Sequence, residues 1–132
     1  MEETSSAAPS LSEEAHRAGE PEVTAALEGN VARLTLRGEL TGESRRPLVR
    51  LLTDLLLQVP ALQRVELDLR AVPFLNSAGI AVLVQAQRMT APRAIEVALV
   101  GPPPAVARPL QLSGLWHRFT VVDQSDEDAG GS

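Results

Sequence analysis

The residues best placed to do chemistry stand in one short polar interruption. Asn76-Ser77-Ala78-Gly79 splits an otherwise apolar run from Val65 to Gln87. A serine hydroxyl in such a place can act as a nucleophile, accept a phosphoryl group, or simply belong to a helix start. As a nucleophile Ser77 would need a base within hydrogen-bond reach, yet the Gly-x-Ser-x-Gly elbow of serine hydrolases is absent. His117 could approach it only through tertiary folding, and no triad pattern supports that. A Gly-rich phosphate loop is also missing, which argues against an NTPase. The chain has no cysteine, and its two histidines, His16 and His117, each stand alone. Neither a metal site nor a bound cofactor is expected, and the chain does not read as an enzyme.

The whole chain narrows the field further. Its 132 residues suffice for one domain with one core. Aromatic residues make up only 2% of it, so core and interfaces must be built from Leu, Val, Ala and Ile, and stacking on nucleic-acid bases is not expected. The formal net charge of −5 hides a division between ends and middle. Residues 1–22 hold six acids and one Arg, and residues 123–132 hold four acids and no base. Between Val23 and Val122 that leaves seven acids and eleven Arg, a net of +4. A basic core can attract an acidic partner surface or a nucleotide, while the acidic ends oppose general nucleic-acid binding. The opening MEETSSAAPS is acidic where a secretory signal would be basic. The apolar cluster from Leu48 to Leu57 is broken by Arg50, Thr53 and Asp54 and is too short to span a bilayer. A soluble cytoplasmic protein, a monomer or weak dimer without membrane association, is expected.

The elements that must position Ser77 follow from periodicity. Residues 1–21 and 124–132 lack a periodic apolar face and read as disordered acidic tails around a domain spanning 22–123. Val23 to Glu28 and Val31 to Arg37 form a hairpin about Gly29-Asn30, the second strand alternating Ala32, Leu34, Leu36 with Arg33, Thr35, Arg37. Leu48, Leu51, Leu52, Leu55, Leu56 and Val59 give a helical stripe, predicting a helix from about Ser44 to Leu57 that ends before Pro60. Val65 to Leu69 and Ile95 to Val100 read as buried strands, with Arg70 to Leu75 as a crossover loop. A helix begins at Asn76, whose side chain is a strong N-cap. A third opens after Gly101, closes at Gly114, and is expected to kink at Pro109, where the missing N–H and ring clash would cost roughly 3 kcal/mol. Phe119 to Val122 is a last strand. This order predicts an α/β domain with a mixed, mostly parallel sheet, one antiparallel N-terminal strand and packed helices.

On the wheel of the second helix Ala81, Gln85 and Arg88 share the side of Ser77, while Gly79, Ile80, Leu83 and Val84 are placed elsewhere. The hydroxyl is therefore expected to face solvent on the first turn, over a platform kept shallow by Ala81. A phosphate there would lie near the free N–H groups of the helix start, so modification would change the surface and spare the fold.

The run LDLRAVPFLNSAGIAVL resembles the signature of STAS domains, above all the bacterial anti-sigma factor antagonists, in which a strand leads to Asp-Ser-(Ser/Thr/Ala)-Gly and an apolar helix. Gly38-Glu39-Leu40 resembles the family's Gly-Glu-Leu-Asp, and Pro104 to Leu115 resembles its Pro-x-Val-x-x-x-Leu-x-Leu-(Thr/Ser)-Gly-Leu helix. The likeness runs in order from about Val23 to Asp123. It implies a protein whose unmodified form binds an anti-sigma factor, a histidine-kinase-like serine kinase, and so frees a sigma factor. Phosphorylation of the serine corresponding to Ser77 ends that association. By the same resemblance Thr41, Asn76, Ser77, Ala78, Gly79, Ala81 and Gln85 form the partner-binding surface.

Two positions depart from the pattern: Asn76 replaces the usual Asp, and Thr41 stands where Asp follows Gly-Glu-Leu. Asn caps a helix as well as Asp does, so the fold is expected to be indifferent. A lost carboxylate beside the hydroxyl is expected to slow phosphorylation. The family's other role, a binding module in a sensory or lipid-transport assembly without phospho-regulation, is the alternative.

Overall fold

The computed structural model describes residues 22–122. The tails expected at 1–21 and 124–132, and His16, lie outside the described residues. Five strands and three helices alternate: β1 Glu22–Glu28, β2 Val31–Arg37, α1 Arg45–Gln58, β3 Arg64–Ala71, α2 Ser77–Thr90, β4 Glu96–Val100, α3 Pro104–Leu112 and β5 Thr120–Val122. Each strand lies beside its neighbour in sequence, in the order β1-β2-β3-β4-β5. β1 and β2 pair antiparallel, Glu28 opposite Val31, and Gly29 takes φ +62° in the turn between them. The other pairs are parallel, so each helix is a crossover between adjacent strands. Right-handed crossovers of this kind carry all three helices to one face.

The core records that arrangement. Leu34 and Leu36 of β2, Leu67 and Leu69 of β3 and Leu99 of β4 join Leu48 and Leu52 of α1, Val82 and Leu83 of α2, and Val106 and Leu110 of α3 in one buried cluster. Each such side chain contributes about 1.5–3 kcal/mol when fully buried. The opposite face of the sheet carries an ionic ladder. Glu66 accepts from Arg33 at 2.9 Å and from Arg64 at 3.0 Å; Arg64 reaches Glu96 at 3.0 Å, and Thr120 donates to Glu96 at 2.6 Å. Farther along that face Arg70 donates to both oxygens of Asp68, at 2.9 and 2.6 Å. This bidentate bond holds the Asp68 carboxyl below its ordinary pKa, against the opposing effect of burial.

Two details differ from the sequence-based expectation. α1 begins at Arg45 behind a separate 3₁₀ turn, Gly42–Ser44, because Thr41 caps that turn and not the helix itself. β3 runs on to Ala71, so the loop leading to Asn76 is shorter than expected. The third helix follows the expected outline, starting at Pro104 after Gly101 and ending at Leu112 before Gly114, with Pro109 inside it. No helix among the described residues is long and apolar enough to cross a membrane.

Candidate functional site

Two loops meet where the parallel strands end. After β2 the chain passes through Leu40, and after β3 through Leu75, and these two residues form an isolated parallel bridge. Leu40 N–H donates to the Phe74 carbonyl at 2.9 Å, and Asn76 N–H donates to the Leu40 carbonyl at 3.3 Å. Leu40 and Leu75 side chains are both buried, so the apolar floor and the backbone bonds enforce one register. Asn76 then starts α2: its Oδ1 accepts from Gly79 N–H at 2.8 Å, and its carbonyl accepts from Ile80 N–H at 3.0 Å. The cap expected at Asn76 is present.

Gly79 has a different place from the one the resemblance implied. It is buried under the helix start, against the Leu40 peptide. A Cβ there would lie 2.8 Å from the Leu40 carbonyl carbon, closer still to its oxygen, and 3.2 Å from Leu75 Cβ. Its contribution is to let the helix seat on the loop.

Ser77 is the first residue of α2 and exposed, as are Asn76, Ala78 and Ala81. Its hydroxyl has no hydrogen-bond partner among the described residues. A groove of about 620 Å³ opens beside it, with Ala78, Ala81 and Gln85 along its wall. Ile80 and Val84 line the same groove, which corrects the expectation that set them apart from Ser77: at 3.6 residues per turn they lie only about 60° and 20° from it around the helix. Both are half-buried, and they give the groove an apolar floor. Thr41 stands at the foot of α1, its Oγ1 accepting from Glu43 N–H at 3.2 Å, one residue before Gly42, which lines the groove.

Sequence reasoning missed Arg45 and Leu115, which close the groove from the start of α1 and from the turn after α3. No local pattern links these positions to Ser77; only the packing does. It also missed Phe74, 47% exposed on the loop before the cap. His117 is exposed in the turn Leu115–Arg118, and the groove does not include it.

Comparison with protein families matches residues 22–128 to the STAS domain, and the chain belongs to that family. Several solved structures share the fold. An anti-sigma factor antagonist from Mycobacterium paratuberculosis aligns with a TM-score of 0.68 at 20% identity, covering 86% of this chain and 94% of the other. A putative anti-sigma factor antagonist from Thermotoga maritima aligns at 0.69 and 22%, covering 83% and 92%. The phosphorylated form of the Bacillus cell fate determinant SpoIIAA aligns at 0.62 and 16%, covering 84% and 100%. Comparison with curated proteins returns no match.

Proposed function

We propose that the protein is an anti-sigma factor antagonist. Its unmodified form docks through the groove beside Ser77 onto an anti-sigma factor and displaces the sigma factor held there. Phosphorylation of Ser77 ends the association. One observation carries this reading: an exposed hydroxyl with no hydrogen-bond partner among the described residues stands on a helix start that is itself capped and bridged. A preformed shallow groove costs a partner little reorganisation, since few groups must be ordered on binding. In the transfer, the Ser77 oxygen bonds to the γ-phosphorus of ATP, the bond to ADP breaks, and the hydroxyl proton passes to a base on the kinase. The product carries about −1.5 to −2 additional charges at a spot the partner must touch.

The absence of a carboxylate at positions 41 and 76 favours a second reading, a binding module of a sensory or lipid-transport assembly that is never phosphorylated. Incubation of the full chain with the anti-sigma kinase of its own source and ATP, followed by peptide mapping, separates the two. Phosphate on Ser77, and none on Ser77→Ala, is the expected result. In the same assay Asn76→Asp and Thr41→Asp are expected to raise the single-turnover transfer rate with little change in affinity. Transfer to another residue, or none to any form, would leave only the second reading.

A further inference from the structure

Four arginines gather on the side of the molecule that carries Ser77. Arg45 and Arg88 line the Ser77 groove. Arg45 also lines a second hollow of about 540 Å³ along α1, together with Arg46, Arg50 and a single acid, Asp54. The hollows share Gly42 and Arg45 and so form one continuous strip. The starts of α1 and α2 adjoin on it, since a Cβ on Gly42 would sit 3.5 Å from that of Ala78. All four arginines are exposed, and none has an ion-pair partner among the described residues. The contrast with the sheet is plain: there Arg33 and Arg64 are matched by Glu66 and Glu96.

Arg45 and Arg46 occupy the first two positions of α1, where the helix dipole disfavours cations. No fold requirement explains the cluster. It is a net-positive field, four arginines against Asp54, beside an apolar floor, and it selects an occupant of opposite charge with apolar anchors. The geometry points to a docking strip for an acidic, leucine- or valine-anchored segment of the partner protein, with the floor of Ile80 and Val84 taking the anchors and Arg45, Arg46, Arg50 and Arg88 taking the carboxylates. The inference rests on the reading of Ser77 as the partner-facing residue and adds what the partner must look like. It also gives the phosphate a second means of action. A phosphoserine at the head of this strip, where the starts of α1 and α2 adjoin, brings about two negative charges into the field of the arginines and so competes with the carboxylates of the partner.

Calorimetry of the full chain with the anti-sigma kinase, without ATP, tests this. Affinity is expected to fall about tenfold on raising salt, and at least as far in the double variant Arg45→Glu/Arg88→Glu. Arg108→Glu, an exposed cation lining neither hollow, serves as the control and is expected to bind like the parent. Salt-independent binding unaffected by the double variant would overturn the charge assignment while leaving the role of Ser77 standing. If no kinase binds, the reading of Ser77 fails. The strip is then judged by nuclear magnetic resonance titration with a short peptide alternating glutamate and leucine. Shifts centred on Ser77, Ala81 and Gln85, and lost in the double variant, support it. Shifts elsewhere, equal shifts with a control peptide alternating lysine and leucine, or tighter binding of a single-stranded DNA oligonucleotide would overturn it.

Discussion

Ser44 and Ser77 sit at two adjoining helix starts, and the fold treats them in opposite ways. Ser44 is fully buried, and its Oγ accepts from Thr41 N–H at 3.0 Å while its own N–H donates to the Thr41 carbonyl at 3.0 Å. Ser77 is exposed, and the capping work beside it is done by Asn76. A hydroxyl committed to a reciprocal cap is not available for transfer, because its lone pairs are used and its removal unsatisfies a buried donor. A hydroxyl relieved of that duty can be altered without touching the fold. The two serines show a division of labour that residue type alone does not reveal.

The comparison breaks first at the floor the two helix starts share. Gly79→Ala forces a methyl into the Leu40 peptide and is expected to cost about 3 kcal/mol or more in urea unfolding, dragging both helix starts with it. A neutral result would mean that the α2 start floats on its loop. Ser44→Ala leaves the Thr41 N–H without its acceptor, and a loss of about 1–3 kcal/mol is expected from the same measurement. A smaller effect on the far face of the sheet serves as a reference for both. The folded pKa of Asp68 lies below the unfolded value of about 3.9. Its stabilisation is therefore complete above that value and is lost as pH falls through the folded pKa. Acid titration of the unfolding midpoint is expected to show a step below about pH 4 that disappears in Asp68→Asn and persists in Ser44→Ala and Ser77→Ala. The smallest effect is the most pointed. Ser77→Ala is expected to change stability by less than about 0.5 kcal/mol, and a loss as large as that of Ser44→Ala would show that the two serines are structurally alike.

The strand and helix order was legible because the periods are clean: Ala32, Leu34 and Leu36 alternate, and the leucines of α1 recur at helical spacing. The cap at Asn76 and the exposure of Ser77 were legible for the same local reason. Gly79 was not, since a glycine in a motif reads equally as a surface or a seat until the Leu40 peptide beneath it is seen. Ile80 and Val84 were legible too, since a period of 3.6 residues per turn sets them only about 60° and 20° from Ser77 on the wheel, contrary to the expectation that kept them apart. Arg45 and Leu115 belong to other elements altogether and meet Ser77 only through the packing of α1 and the turn after α3. Thr41 looked like a lost carboxylate, but its hydroxyl still accepts from Glu43 N–H, which keeps the turn even with the charge gone.

The bridge between Leu40 and Leu75 also bears on how such a chain can diverge. Because Leu40 is bonded to Phe74 and Asn76 at fixed steps, adding or deleting one residue in either loop would pull the other out of phase. Point substitutions on the rim are free of that coupling. Change that spares the fold is therefore expected as an exchange of side chains around an unchanging pair of loop lengths.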